Sequence, residues 1–233
     1  MTTIADRLAD AHQRIAQAAQ NSSRDSKAIQ LLAVSKTKPI SQIVEAYDAG
    51  QRLFGENYVQ EGEEKVNALR DSHDDIEWHF IGPLQSNKSK SIAEHFDWMH
   101  TLSREKIARR LSEQRPAHLK PLQVCIQVNI SQEESKSGVS PEEIAPLADA
   151  ISALPRLTLR GLMAIPTATS DESVQQAEFR QMQALFKQLQ QRYPAIDTLS
   201  MGMSQDLELA IAFGSTMVRI GSAIFGERDY AKT

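Results

Sequence analysis

Lys36 is the residue of this sequence that most directly suggests covalent chemistry. It follows an apolar run in "LLAVSKTKP", so it stands where a buried strand is expected to end. A lysine there is either leaving the core for water or held at the edge of a pocket. A free lysine has a pKa of about 10.4, which burial or neighbouring cations such as Lys38 and Arg219 would lower. The neutral amine is the form that makes a Schiff base with an aldehyde.

Two glycine- and serine-bearing segments near the C-terminus suggest a site for a phosphate group. "LSMGMS" carries Ser204 where we expect the N-cap of a helix, and "VRIGSAIFG" carries Gly221 and Ser222 just after a strand. In barrel enzymes the loops after the seventh and eighth strands often bind phosphate through backbone N–H groups. The alternative is that Ser204 only caps its helix and Gly221 only turns the chain. Asp206 also places negative charge close to this segment.

Arg219 is the third candidate. Strand alternation places it on the opposite side from Val218 and Ile220. If those two pack outward against helices, Arg219 points into the centre of the fold, where it needs an acidic partner such as Glu56 or an acceptor on a ligand. An aldehyde at Lys36, a phosphate and a ring nitrogen facing Arg219 together describe pyridoxal 5′-phosphate (PLP). These residues alone leave open the simpler alternative of a solvated lysine.

Strand and helix patterns alternate along the whole chain and would position these groups. Apolar residues at helical spacing predict an amphipathic helix over 3–20. The predicted strands are 31–35, 52–56, 77–82, 97–102, 122–130, 157–165, 197–202 and 216–221. The predicted helices between them are 41–49, 57–69, 86–94, 104–113, 141–153, 171–191 and 204–213.

This alternation predicts a parallel α/β fold. Eight units of about 29 residues each indicate a single-domain (β/α)8 TIM-like barrel with an extra N-terminal helix, covering residues 1–233. A doubly wound sheet is the alternative, weakened because no "GxGxxG" follows the first strand. In a barrel the carboxyl ends of the strands form the active face, so Lys36, Asn57 and Met163 should converge with the two glycine-bearing segments.

Composition narrows the class of protein. A net charge of -4 and a pI near 5.9 argue against nucleic-acid or anionic membrane partners. No apolar run approaches the ~20 residues of a membrane span, and the N-terminus has no secretion signal, so a cytoplasmic location is expected. The six histidines show no metal-binding motif, and no metal site is predicted. His79 is expected to be a hydrogen-bonded barrel residue and Cys125 a small core residue.

Several motifs closely resemble those of one family, the pyridoxal phosphate homeostasis proteins. They are "LLAVSKTKP", "FGENYVQE", "WHFIGPLQSNK", "SKSG", "GLMAI", "LSMGMS" and "VRIGSAIFG", in order from about residue 4 to residue 230. The resemblance implies a monomeric barrel of the type that forms the N-terminal domain of alanine racemase. It also implies that Lys36 holds PLP as an internal aldimine.

The resemblance further implies positions for the other site residues. It places the phosphate near Ser204, Gly221 and Ser222, with the backbone around Met201 and Gly202 also close. Its remaining contacts are Asn57 and Met163 beside the cofactor and Arg219 near the ring nitrogen.

The family is associated with balancing PLP and related B6 vitamers, as a carrier or regulator without clear turnover. A protonated arginine at the ring nitrogen would weaken the ring as an electron sink. The chain also ends at Thr233, without the second domain that completes alanine racemase. Apo-enzymes that use PLP are candidate partners, and Lys136 is a weaker candidate for capturing a second PLP. The alternatives are a PLP-dependent amino-acid racemase and an aldolase-like barrel in which Lys36 binds a phosphosugar.

Overall fold

The computed structural model describes residues 1–227, and within them eight parallel strands form one closed barrel. The strands are β1 (Gln30–Val34), β2 (Leu53–Glu56), β3 (Glu77–Phe80), β4 (Trp98–Leu102), β5 (Leu122–Val128), β6 (Leu157–Ala164), β7 (Thr198–Ser200) and β8 (Met217–Ile220). Each strand pairs with the next in the chain, and β8 pairs with β1. The predicted (β/α)8 architecture is therefore confirmed, because a doubly wound sheet would leave two open edges.

Helices surround the barrel. They are α1 (Ile4–Asn21), α2 (Ile40–Asp48), α3 (Val59–Leu69), α4 (Ser89–His95), α5 (Glu105–Gln114), α6 (Ile144–Ser152), α7 (Glu172–Arg192), α8 (Leu207–Ala212) and α9 (Ser222–Phe225). Short 3-10 turns cover 26–28, 86–88 and 141–143. Helix α9 was not predicted, because four residues are too few to show a helical period. The single domain predicted over 1–233 includes residues 228–233, which lie outside the described residues. None of the helices described within 1–227 has the length and apolar character needed to cross a bilayer.

The apolar residues form two layers on either side of the barrel wall. The outward side chains of the strands pack with the helices, and Val218 and Ile220 belong to this outer core as predicted. Smaller groups fill the barrel interior, among them Cys125, which lies against Trp98 and Met163. The expectation that Cys125 is a small core residue is confirmed, and burial raises the pKa of its thiol to about 12.

Helix α1 covers the side of the barrel where β8 pairs with β1. Thr3 caps it, since its hydroxyl accepts from Asp6 N–H and the Asp6 carboxylate accepts from Thr3 N–H. Its apolar face packs against α2, α8 and α9. Because α8 and α9 have only six and four residues, they cannot cover β8 and β1 alone. The extra helix supplies the missing apolar surface.

We expect Leu8→Ala to destabilise the protein by about 2–4 kcal/mol, because Leu8 is only 3% exposed and the change leaves a cavity under α1. Urea unfolding followed by circular dichroism measures the effect. Gln13→Ala, on the exposed face of the same helix, is the matched control and should change stability by less than about 0.5 kcal/mol. Equal effects of the two substitutions would contradict this role of α1.

Candidate cofactor-binding site

The closing strand pair brings Lys36 to the glycine- and serine-bearing segment after β8. Ala33 on β1 pairs with Ile220 on β8, so the two strands end side by side. Lys36 lies two residues beyond the end of β1 and is half-buried. It lines a cavity of about 170 Å³ together with Gly221 and Ser222. The structure thus brings together three of the residues that the sequence singled out.

Arg219 points into the barrel, as strand alternation predicted. Its side chain is buried, with Nη1 donating to Ser200 Oγ at 2.7 Å and Nη2 donating to the carbonyl oxygen of Ala164 at 3.0 Å. Burial lowers its pKa to about 10, so it remains protonated at neutral pH. The suggested ion pair with Glu56 is wrong. Glu56 projects outside the barrel wall toward Lys65, because neighbouring strand positions alternate between the two faces.

Asn57 is half-buried after the end of β2, whereas Met163 lies deeper, inside the barrel. Asn57 follows β2, and its side-chain oxygen is buried without a hydrogen-bond partner among residues 1–227. A buried acceptor of this kind is costly unless a ligand or water satisfies it. Met163, on β6, is fully buried and packs in the barrel interior against Trp98.

Met201 and Gly202 follow β7, and Gly202 contacts the backbone of Arg219. The Met201 side chain packs in the outer core and not in the barrel interior. The carbonyl oxygen of Gly202 accepts a hydrogen bond from Arg219 N–H at 2.9 Å. Gly202 has a φ of +99°, and a Cβ there would lie 2.6 Å from Ala210 Cβ, so this position requires glycine.

Ser204 is not the N-cap of a helix, and that prediction is wrong. Helix α8 begins at Leu207, and Ser204 lies in the turn before it. The turn is closed by two hydrogen bonds between Met203 and Asp206, one from Asp206 N–H to Met203 O and one from Met203 N–H to Asp206 Oδ1 at 2.6 Å. Because this turn occupies residues 203–206, the helix begins only at Leu207. Ser204 lies within this turn and is half-buried.

A buried ionic cluster that sequence analysis missed holds the backbone on both sides of Lys36. Lys65 on α3 is 4% exposed, forms an ion pair with Glu56 and donates to the carbonyl oxygen of Ser35 at 2.8 Å. It also pairs with Glu61 at 2.7 Å, and Glu61 accepts from Thr37 N–H at 2.6 Å. The peptide groups before and after Lys36 are therefore both fixed. Glu61 and Lys65 lie on an amphipathic helix and look solvated in sequence, so only the packing of α3 against β2 reveals their cluster with Glu56.

The barrel interior contains a second group that the sequence did not identify as a unit. His79 is a buried, hydrogen-bonded barrel residue as expected, and it contacts His100 on β4. His100 in turn contacts Ser200, the residue that accepts from Arg219. These residues lie at inward positions of β3, β4 and β7, so strand alternation was the signal that could have found them.

The two other lysines considered in the sequence have different surroundings. Lys38 Nζ donates to the carbonyl oxygens of Gly226 at 3.0 Å and Glu227 at 2.8 Å, which ties the Lys36 loop to the end of α9. Lys136 lies in the loop after β5 and pairs with Glu133 at 3.1 Å. Among residues 1–227, no three histidine, cysteine or acidic side chains are grouped as metal ligands would be.

Comparison with known proteins places this barrel in a class. The chain matches the family model described as "Alanine racemase, N-terminal domain" over residues 7–229. Alanine racemase from Corynebacterium glutamicum aligns with a TM-score of 0.66 at 19% identity, over 98% of this chain and 62% of the racemase, which shows a shared fold. The barrel is thus of the alanine racemase N-terminal type.

Closer relatives define the family. The pyridoxal phosphate homeostasis protein of Escherichia coli (strain K12) is 60% identical over 234 residues, covering 100% of both chains. PipY of Synechococcus elongatus PCC7942, whose structure was solved with PLP bound, is 38% identical with a TM-score of 0.81, over 96% of this chain and 100% of PipY. The chain belongs to the pyridoxal phosphate homeostasis protein family, which confirms the resemblance seen in its motifs.

Glu56 should make stability depend on pH. Burial raises the pKa of its carboxyl from 4.5 to about 7, although Lys65 opposes the shift. The folded protein therefore holds this proton to higher pH than the unfolded chain, and the associated stability is lost as the pH rises from 4.5 through about 7. Glu56→Gln should remove this pH-dependent loss of stability, because glutamine does not ionise. The stability of the unsubstituted protein minus that of the variant should fall by about 1–3 kcal/mol between about pH 5 and pH 8.

Urea unfolding at both pH values measures that difference. Glu64→Gln, on the exposed side of α3, is the matched control and should show no such trend. A difference for Glu56→Gln that stays constant across the range would contradict the proposed titration.

Proposed function

We propose that this chain binds PLP at the mouth of the barrel and takes part in PLP homeostasis as a carrier or regulator, without catalytic turnover. One observation carries the proposal: Lys36 shares a cavity with Gly221 and Ser222, next to the strand that supplies the buried Arg219. The structure of PipY with PLP bound, in a relative 38% identical, supports it.

The chemistry of these side chains suits the functional groups of PLP. The Nζ of Lys36 would attack the aldehyde carbon, forming a C=N bond with release of one water. The Ser222 hydroxyl and the backbone beside Gly221 offer hydrogen-bond donors to a phosphate. Arg219 offers further N–H groups to a ring nitrogen, which it would keep unprotonated. The unpartnered Asn57 oxygen offers an acceptor to a polar group of the ligand.

The exposure of the mouth favours a carrier. Lys36 is half-buried, while Thr37 and Ser222 beside it are exposed. A ligand held there would keep contact with water, so release by hydrolysis of the C=N bond would need no opening of the fold. An enzyme usually excludes water from its reacting groups.

The finer features of this function follow from the same chemistry. B6 vitamers with a phosphate but no aldehyde would bind without the covalent link, and therefore more weakly. Apo-enzymes that use PLP are proposed recipients, either by direct contact or through the free cofactor. A monomeric state, a cytoplasmic location and the absence of nucleic-acid and membrane partners remain predictions from the sequence.

Lys36→Ala should abolish the covalent link, because no amine remains at that position. We expect the purified protein to show a visible absorption band with PLP that Lys36→Ala lacks. Borohydride reduction followed by peptide mapping should place the adduct on Lys36. Lys90→Ala, an exposed lysine on α4, is the control and should keep the band.

A colourless protein that gains no band with added PLP would overturn the proposal and favour an aldolase-like lysine or a solvated one. An adduct that maps to Lys136 would move the binding position to the loop after β5. Loss of the borohydride-reduced adduct in Lys136→Ala would lead to the same conclusion, that PLP binds in the loop after β5.

The carrier proposal predicts that PLP leaves the protein while amino acids are not converted. The loaded protein should restore activity to an apo-enzyme that needs PLP. It should not interconvert the D and L forms of alanine or other amino acids above the rate of free PLP. Chiral chromatography measures the interconversion, and measurable turnover that Lys36→Ala abolishes would favour the racemase alternative.

A further inference from the structure

Five polar side chains form a continuous hydrogen-bonded line through the barrel interior. Arg219 Nη1 lies 2.7 Å from Ser200 Oγ, which lies 2.9 Å from His100 Nδ1. His100 Nε2 lies 2.8 Å from His79 Nδ1, and His79 Nε2 lies 2.8 Å from Glu77 Oε1. We call these five residues the interior relay. It begins at Arg219, near the proposed cofactor site. It ends at Glu77, the first residue of β3, whose side chain is 41% exposed.

The two ends of the interior relay fix the direction of its hydrogen bonds. A guanidinium can only donate and an ionised carboxylate can only accept. If both histidines are neutral, His79 donates from Nε2 to Glu77 and accepts at Nδ1 from His100 Nε2. His100 then accepts at Nδ1 from the Ser200 hydroxyl, whose oxygen accepts from Arg219. Every hydrogen bond therefore donates away from Arg219, and both imidazoles carry their proton on Nε2.

Burial favours the neutral histidines that this arrangement requires. It lowers the pKa of His79, with Glu77 and Asp97 opposing and Arg160 adding to the shift. Burial lowers the pKa of His100 well below 6.5, and the charges of His79 and Arg219 act in the same direction. Burial opposes ionisation of Glu77 most strongly, but the hydrogen bonds from His79 and Trp98 and the nearby charges of His79 and Arg160 together outweigh it, so the pKa of Glu77 is lowered. The relay thus has one charge at each end and neutral groups between them.

We propose that the interior relay positions Arg219 for the cofactor, so that Ser200, His100, His79 and Glu77 act on the bound PLP without touching it. This inference rests on the proposed PLP site. Ser200 accepts from Arg219 and donates its own proton to His100, and it can donate there only while His79 and Glu77 keep the proton of His100 on Nε2. Reversing the relay would leave Ser200 accepting from two donors, which weakens its hold on the guanidinium.

Glu77 offers a test of the relay that needs no PLP. In Glu77→Gln the side-chain oxygen still accepts from His79, so the direction is kept. In Glu77→Leu that acceptor is lost, and nothing then holds the proton on Nε2 of either ring. We expect ¹⁵N NMR of the unloaded protein to show the Nε2–H form of both rings between about pH 6 and pH 9, also in Glu77→Gln. His100 should become a mixture of the two neutral forms in Glu77→Leu.

Ser200 tests the effect on the cofactor itself. Ser200→Ala leaves Arg219 without one buried acceptor, and we expect it to weaken PLP binding about tenfold. The pH midpoint of the visible band should also shift by about half a unit or more. Ser89→Ala is the matched control, because Ser89 is also fully buried, donates to Gln114 at 2.7 Å and accepts from Arg110 at 3.2 Å, but lies on α4 outside the barrel. It should alter neither quantity.

The outcomes separate this inference from the proposed function. A His100 ring unaffected by Glu77→Leu, or a loaded Ser200→Ala protein with the unchanged band, midpoint and affinity, would overturn the relay while PLP binding stands. If the unsubstituted protein binds no PLP, the proposed function fails. The NMR experiment would then still decide whether the relay is directed as described.

Discussion

The pairing of β1 with β8 is the contact on which the candidate site depends. These strands lie at opposite ends of the chain, and four residue pairs from Gln30 with Met217 to Ala33 with Ile220 join them. Their pairing closes the barrel and places the loop that carries Lys36 against the segment that carries Gly221 and Ser222. An open sheet of the same strands would leave these groups at two distant edges. Because α8 and α9 are short, they cover the β1–β8 pair only in part, and α1 packs against them to complete the cover.

Closure also buries polar side chains inside the barrel, where they form hydrogen bonds with one another. A buried guanidinium is tolerated only when its donors meet acceptors. Arg219 meets this requirement with Ser200 and the Ala164 carbonyl oxygen. Ser200 is hydrogen-bonded in turn to His100, and His100 to His79. The line ends at the Glu77 carboxylate, which is partly exposed to solvent. The buried charge of Arg219 is thus linked by hydrogen bonds to side chains on three other strands of the barrel.

The support for Lys36 comes from outside the barrel wall. Lys65 and Glu61 hold the peptide groups on either side of it, and Glu56 balances the charge of Lys65. A fixed backbone with a half-buried side chain is a suitable combination for a reversible covalent link. The fixed backbone would hold the amine near one position, while water would keep access to the C=N bond proposed for Lys36.

The sequence by itself determined the architecture, because the hydrophobic periods of strands and helices are local patterns that can be read without knowing the tertiary contacts. Strand alternation correctly directed Arg219 inward, and the motifs identified the family. The sequence did not determine where a turn closes, so Ser204 was wrongly placed at the start of α8. It also paired Arg219 with Glu56, whereas the structure directs Glu56 to Lys65. Only the tertiary structure selected these partners, because a buried polar group bonds with whatever packing brings within about 3 Å, however distant in the chain.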